Sequence, residues 1–417
     1  MSDKQLEVTN LSRKFRDWEQ AIKDRVVERD REARGVVIAA AARHHHLQLG
    51  PPGTAKSYMV TTGLSMVSDA VTMEILLHGY SVMEDMYGPV SLKALDEDRH
   101  LRKVDGYLPT CDFVFADEVF KANPTMLNTN LWAFNERRFR NDGRVHDIPL
   151  ISGYFASNEG PEDPVLMAFD DRIGLRYLVK PIGDPVARRT MFEQRLARKA
   201  RGRTAAVPVI TVEEIRRAHE LVAAVEVPQG VLDALNDLYD ELRTVQIHPT
   251  DRKMGDALDI IQATTFFNGR TVATIGDMGM LKDVFWTNPT DIPKVAEKVA
   301  ELANPIDKAA QPVADSIEDL AAMVEEIIQI ETKAIRIRRA TQLHDKMEAA
   351  SKELMELREE AERTGIESDV VARARRRLNV LTRRLLEKGF RIQAPPSKIG
   401  KDKLMDLVKE MRDEDPD

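Results

Sequence analysis

An α/β fold, with a parallel sheet covered by helices on both faces, is predicted by three observations. A glycine-rich loop joins a short strand to a helix. An apolar strand about sixty residues later ends in two carboxylates, and strands alternate with helical stretches through the first half of the chain. Beyond residue 204 the pattern is helical, first as a small all-α lid and then as a C-terminal helical hairpin.

Residues 11–43 read as helical and lead into the strand His46-Leu47-Gln48-Leu49. Gly50, Pro51, Pro52, Gly53, Thr54, Ala55, Lys56 and Ser57 then form a phosphate-binding loop ahead of a helical stretch at 58–67. Backbone N–H groups of such a loop ring the β- and γ-phosphates, and the helix dipole starting near Ser57 favours the anion. Lys56 would add a point charge and the Ser57 hydroxyl would hold Mg²⁺. The loop therefore points to ATP or GTP. Ala55 stands where the usual G-x-x-x-x-G-K-[ST] pattern has Gly, and because Ala takes up positive φ at a cost, Gly53 is expected to supply that freedom. The alternative for these residues is a Gly/Pro turn that happens to precede Lys-Ser.

Strand candidates follow at 71–77, 113–117, 150–157 and 174–179. Phe113-Val114-Phe115-Ala116-Asp117-Glu118 is an apolar run that delivers two carboxylates at its end. That is what a Walker B motif requires: Asp117 would bind Mg²⁺ through water, and Glu118 would orient and deprotonate the attacking water. By itself the run could be a core strand entering a polar turn; paired with the Gly50 loop it favours hydrolysis. In a doubly covered parallel sheet the nucleotide lies at the strands' carboxyl ends, which sets Gly50, Asp117 and Asn158 at one rim.

Two insertions interrupt the alternation, and both could be ordinary surface loops. Residues 87–109 hold the Gly88-Pro89 and Asp105-Gly106 turns, while Asn141-Asp142-Gly143 within 138–148 signals a β-hairpin. Between them, Asn123-Pro124 should cap a helix running to about Glu136. The basic stretch 188–203, with seven Lys or Arg, reads as a solvated helix face and linker, with a nucleic-acid contact as the alternative. Thr211 and Glu214 make a capping box at the start of four expected lid helices, spanning about 211–287.

After Asn304-Pro305 the chain is strongly helical. Ala340, Leu343, Met347, Ala350, Leu354, Leu357 and Ala361 alternate steps of three and four, as do Val371, Ala374, Leu378, Leu381 and Leu385, with Thr364-Gly365 as the turn. Ala394-Pro395-Pro396 would end this hairpin. A short amphipathic tail with Leu404, Leu407, Val408 and Met411 would follow, to pack on its own chain or on a partner.

With 417 residues the chain needs two or three domains. The expected divisions are 1–204, 205–300, 301–393 and 394–417. A net charge of −8 opposes general polyanion binding, and the single cysteine, Cys111, fits a reducing cytoplasm with a buried structural thiol. No apolar run is long enough to cross a bilayer. His44-His45-His46 are consecutive, so alternate side chains in a strand face opposite ways and a structural role is favoured over a metal site. Trp132 and Trp286 are expected in the core.

These features together resemble the MoxR family of AAA+ ATPases, in particular its RavA-like branch, over residues 11–290. The likeness is carried by the Gly50–Ser57 loop, Tyr87-Gly88-Pro89, Gly106-Tyr107-Leu108-Pro109, Phe115-Ala116-Asp117-Glu118-Val119-Phe120-Lys121-Ala122, Asn135-Glu136-Arg137-Arg138-Phe139-Arg140, Ala156-Ser157-Asn158-Glu159 and Ala263-Thr264-Thr265-Phe266-Phe267-Asn268-Gly269-Arg270. The resemblance implies an AAA+ P-loop core with ATP and Mg²⁺. It makes Asn158 the sensor that holds the attacking water with Glu118. It makes Arg172 the arginine finger of Asp171-Arg172-Ile173, with Arg176 as the nearby alternative. Arg252, in Thr250-Asp251-Arg252-Lys253, becomes the lid arginine that meets the γ-phosphate. The family further implies a homo-oligomeric ring, usually a hexamer, a protein substrate, and a von Willebrand A (VWA)-domain partner in chaperone-like remodelling. Two other readings are an ATPase acting on nucleic acid and a nucleotide-dependent scaffold with little turnover.

Overall fold

The computed structural model describes residues 3–161, 163–201, 207–364 and 368–390. The turn at Gly365, the stop at Ala394-Pro395-Pro396 and the amphipathic tail lie outside them. The chain divides into two compact units, Met1–Val299 and Ala300–Asp417.

The first unit opens with helices α1 (Asp3–Lys23) and α2 (Asp30–Ala42), followed by strand β1 (His46–Leu49) and helix α3 (Lys56–Leu64). A two-residue strand β2 (Val67–Ser68) and β3 (Thr72–Leu76) come next, then short helices α4 (Met83–Tyr87) and α5 (Leu92–Leu95) in the first insertion. Strand β4 (Phe113–Asp117) leads to α6 (Pro124–Glu136), the hairpin β5 (Arg138–Asn141) and β6 (Arg144–Asp147), and β7 (Ser152–Ser157). Helix α7 (Pro164–Asp170), β8 (Leu175–Leu178) and α8 (Pro185–Arg201) complete the core.

Five strands form a wholly parallel sheet in the order β3-β4-β7-β1-β8. Strand β1, between β7 and β8, is buried along its length and pairs through His46 with Tyr154 on one side and Leu175 on the other. Because side chains alternate along a strand, His46 faces α2 and His45 the opposite layer. On the α2 face, the Tyr154 hydroxyl donates to the Val36 carbonyl at 2.8 Å. On the other face His45, Phe134, Phe155 and Phe169 pack edge to face, which seats α6 and α7. Helices thus cover both faces, as expected.

Local signals act where the sequence placed them. Asn123 Oδ1 accepts from Thr125 N at 2.9 Å and starts α6. Asp142 (φ 50°) and Gly143 (φ 74°) make the tight turn of the β5–β6 hairpin. The two insertions also hold each other: Tyr87 stacks on Phe139 at 4.9 Å, and Asn141 Oδ1 accepts from Arg102 N at 2.8 Å.

The lid begins at β9 (Ile210–Thr211), which pairs with β2, and at α9 (Val212–Ala223), whose capping box joins Thr211 and Glu214 reciprocally at 3.0 and 3.1 Å. Helices α10 (Gln229–Thr244) and α11 (Asp251–Phe267) follow. The expected fourth lid helix is instead a 3₁₀ segment, Ile275–Asp283. Buried Asp277 accepts from Thr265 Oγ1 and Thr274 N at 2.9 Å and from Asn268 Nδ2 at 3.1 Å, which draws that segment onto the end of α11. Helix α12 (Ile292–Ala303) comes next. Trp286 is buried, but Trp132 is 38% exposed on the outer side of α6, so only one of the two expected core tryptophans lies in the core.

In the second unit the expected two-helix hairpin is a three-helix bundle of α13 (Pro305–Ile328), α14 (Lys333–Thr364) and α15 (Asp369–Arg384). Val313, Ile317, Leu320, Val324 and Ile327 of α13 supply a third apolar stripe. It packs against Leu343, Met347 and Leu354 of α14 and Leu378 and Leu381 of α15. Arg377–Glu318 at 3.0 Å and Arg384–Glu325 at 2.9 Å flank the α13–α15 seam. Two long helices alone would leave one face of each in water; the third covers it. Among the described residues no helix is long and apolar enough to cross a membrane.

His45 yields a pH test. Its Nδ1 accepts from Gly153 N at 2.9 Å and its Nε2 lies 3.0 Å from the Phe134 carbonyl, so the ring is neutral with its proton on Nε2. Burial, reinforced by the Arg137 charge, pulls its pKa down to about 3. With the folded value below the unfolded one, the unfolded chain takes up the proton first, so stability falls as pH drops below about 6.5. Urea unfolding should show roughly 2 kcal/mol lost through this group by pH 5, and His45→Gln should remove that share of the slope. A slope unchanged by the substitution would contradict the assignment.

Candidate nucleotide-binding site

The phosphate loop leaves the carboxyl end of β1 and enters α3. Gly53 (φ 79°) is left-handed as expected, and so is Ala55 (φ 67°). Glycine 53 therefore does not spare Ala55 the positive φ; the loop takes both, and Ala55 carries strain of about 1–2 kcal/mol. Arg29, buried just before α2, braces the loop by donating to the Thr54 carbonyl at 3.2 Å and the Lys180 carbonyl at 2.7 Å.

Lys56 lies at the centre of the site. Its Nζ donates to the Gly50 carbonyl at 2.5 Å, the Pro51 carbonyl at 3.0 Å and Asn158 Oδ1 at 2.9 Å. Burial lowers its pKa, while Asp117 and Glu118 pull it back up. Ser57 Oγ donates to Asp117 Oδ2 at 2.6 Å. Asn158, at the end of β7, donates through Nδ2 to Glu118 Oε1. Glu118 itself is left-handed (φ 54°), which turns its side chain out of the β4 line, and Lys121 Nζ sits 3.3 Å from its other oxygen. Lys56, Ser57, Asp117, Glu118 and Asn158 thus come together at one rim. Ser57 and Asp117 present only oxygen donors, side by side, a set suited to a hard divalent cation such as Mg²⁺.

A cleft of about 390 Å³ opens beside the loop, walled by Val26, Val27, Thr54, Tyr58, Ile182 and Met191. Its mostly apolar lining is of a size and character for a flat base. Arg188 and Gln194 of α8 reach the same cleft, so the basic stretch expected to be a solvated face also borders the site. Neither these residues nor Arg29 were found from the sequence. They are brought in by the packing of distant segments, and no local pattern marks them.

The arginines lie elsewhere. Arg172 precedes β8, and Arg252 opens α11, where it pairs with Asp171 at 2.8 Å. Since β8 runs parallel to β1 with Leu175 opposite His46, both arginines stand at the amino-terminal edge of the sheet and the phosphate loop at the carboxyl edge. A four-residue strand separates the two levels, about 13 Å at 3.3 Å per residue. The expectation that Arg252 meets a γ-phosphate held by its own chain therefore gives way: Arg252 sits next to Arg172, away from its own loop. Arg176 is fully buried, paired with Asp170 at 2.8 Å, and is in no position to act as a finger. Arg172 is half-buried and donates to the Ala168 carbonyl; burial and the adjacent Arg252 charge lower its pKa.

The remaining singled-out groups are structural. His44 lies 3.0 Å from Asp259 and 3.8 Å from Asp256, while His45 and His46 are core. Burial pushes the Cys111 thiol up to about 11, so it stays protonated. Because only Gly occupies the left-handed region without a Cβ penalty, Ala55→Gly should raise stability by about 1 kcal/mol. A melting temperature unchanged or lowered by the substitution would mean that the loop is not strained there.

Residues 13–219 match a family described as the MoxR domain in the MoxR-vWA-beta-propeller ternary systems, and residues 230–299 match an AAA lid domain. Two uncharacterized proteins of Methanocaldococcus jannaschii are similar. One is 30% identical over 71% of this chain and 76% of its own length, the other 31% identical over 67% and 73%. The crystal structure of a candidate ATPase from Cytophaga hutchinsonii overlays with a TM-score of 0.56 across 72% of this chain and 96% of that one, at 14% identity, a likeness of fold alone. Taken with the parallel core, the helical lid and the rim of Lys56, Asp117 and Glu118, these matches show that the chain belongs to the MoxR family of AAA+ ATPases.

Proposed function

We propose that the chain hydrolyses ATP at sites shared between neighbouring copies in a ring, a hexamer in the usual form of this architecture, and so drives the remodelling of a protein target. The observation that carries this reading is the polarity of the site. Lys56, Ser57, Asp117, Glu118 and Asn158 converge at one edge, while Arg172 and Arg252 are presented together at the other. A single copy cannot use both sets on one nucleotide. Two copies meeting edge to edge can.

In this reading the Gly50–Ser57 backbone and Lys56 hold the phosphates, and the cleft at Val26 and Tyr58 takes the base. Ser57, with Asp117 through water, would hold Mg²⁺, which would supply charge neutralisation to the triphosphate. Glu118 takes the proton of the attacking water, and Asn158 fixes the carboxylate's orientation through its amide. Arg172 and Arg252 of the adjoining copy stabilise charge on the transferring phosphoryl group, an effect worth about 10³ to 10⁵ in rate for such fingers. The family's description names VWA and β-propeller components, which supports a VWA-domain partner for this chain. The RavA-like branch, with chaperone-like action in the cytoplasm, is the form we favour; the lone buried Cys111 fits that compartment.

Mixing variants tests the shared site. Glu118→Gln should bind ATP without turnover, and Arg172→Ala should bind ATP while disabling its neighbour. Co-assembled, the two should recover activity, because some sites then join an intact Glu118 to an intact Arg172. No recovery in demonstrated co-assemblies would contradict the proposal.

A further inference from the structure

The loop that carries Arg172 is fastened to the lid by the first turn of α11. Thr250 Oγ1 donates to Asp171 Oδ1 at 2.9 Å, Arg252 Nη1 donates to Asp171 Oδ2 at 2.8 Å, and Lys253 Nζ donates to the Ile173 carbonyl. Asp170, on the other side of Arg172, is fixed by the buried Arg176. Every residue from Asp170 to Ile173 thus has a partner, and three of the bonds come from one helical turn.

Local physics opposes this arrangement. Arg252 and Lys253 are cations in the first turn of a helix, where the macrodipole favours anions. Lys253 is also only 6% exposed, and a buried ammonium gives up most of its hydration. A Leu or Met at this position would fill the space without either cost. What Lys253 adds is a directed bond to the backbone immediately after Arg172; burial and the neighbouring Arg176 charge pull its pKa down to about 7, and Asp256, Asp170 and Asp171 counter this only in part. Sites that break a local rule while making a specific contact of this kind mark function more often than stability.

We propose that Lys253 is a positioning residue for the trans-acting arginines. It pins the start of α11 to the finger loop, so that Arg172 and Arg252 are presented to a neighbouring copy as one pair anchored on Asp171, and a shift of the lid carries both. This rests on the shared-site reading above and extends it to how the lid and the finger are linked.

Lys253→Met in the full chain, which keeps the apolar stem and removes the donor, tests the role. Affinity for a fluorescent ATP analogue should stay within twofold of wild type, because the chain's own loop lies at the other edge of the sheet. Phosphate release should fall at least tenfold. Mixing with Glu118→Gln should restore activity, as it does for a defect in what a subunit donates; a subunit that is merely unstable would lose nucleotide affinity as well. Wild-type turnover by Lys253→Met, or no recovery in a demonstrated co-assembly, would overturn the positioning role. Arg172→Ala measured alongside separates the failures. Full turnover there removes the shared-site reading and this role with it, whereas its loss with unimpaired Lys253→Met removes this role alone. Should Lys253→Met not fold, Asp171→Asn should lower turnover at least threefold at unchanged nucleotide affinity, and wild-type turnover by that variant would overturn the proposal.

Discussion

The parallel pairing of β1 with β7 and β8 is the constraint on which the rest depends. Strands that all run one way send their carboxyl ends to one rim, so Gly50, Asp117 and Asn158 meet without being near in sequence. The same polarity sends the segment before β8 to the opposite rim and takes Arg172 with it. Once the lid helix α11 is tied to that segment through Asp171 and Ile173, Arg252 is committed to the same side. Separation of the phosphate loop from Arg172 and Arg252 is therefore a property of the sheet, and the proposed shared site rests on it.

Departures from local preference gather at the two rims. Ala55 and Glu118 adopt left-handed backbone, and Lys56 is buried against carbonyls and an amide. At the other rim, Lys253 is buried at the wrong end of a helix dipole. Each costs about a kcal/mol or more, and each aims a specific atom: the loop's N–H groups, the Glu118 carboxylate, the Lys56 ammonium, the loop beside Arg172. The core between them follows the rules closely, with an aromatic cluster on one face and α2 sealed against the other.

Much of this was legible in the residues. The Gly50–Ser57 loop, the Asp117-Glu118 strand end, the Asn141-Asp142-Gly143 turn and the Thr211/Glu214 capping box are short-range patterns whose physics is complete within a few residues. What the sequence concealed depends on distant partners. Arg29 braces the loop only because Lys180 arrives at the end of β8. The segment after α11 reads as helix, but buried Asp277 collects donors from Thr265, Asn268, Arg270 and Thr274 and holds it as 3₁₀. The C-terminal heptads looked like a hairpin because α14 and α15 match each other, and nothing local says that the stripe of α13 completes them. Arg252 stands out in the sequence only by type and position, and its side of the molecule is set by the sheet and not by its neighbours in the chain.

The central claim is that the nucleotide and its arginines belong to different copies. Phosphate release per subunit, followed over a wide range of protein concentration at saturating ATP and Mg²⁺ alongside the molar mass of the particle, tests it most directly. The account predicts that turnover per subunit is negligible for the single chain and rises in step with the assembled fraction. Constant turnover per subunit in a particle that remains a single chain throughout would contradict it.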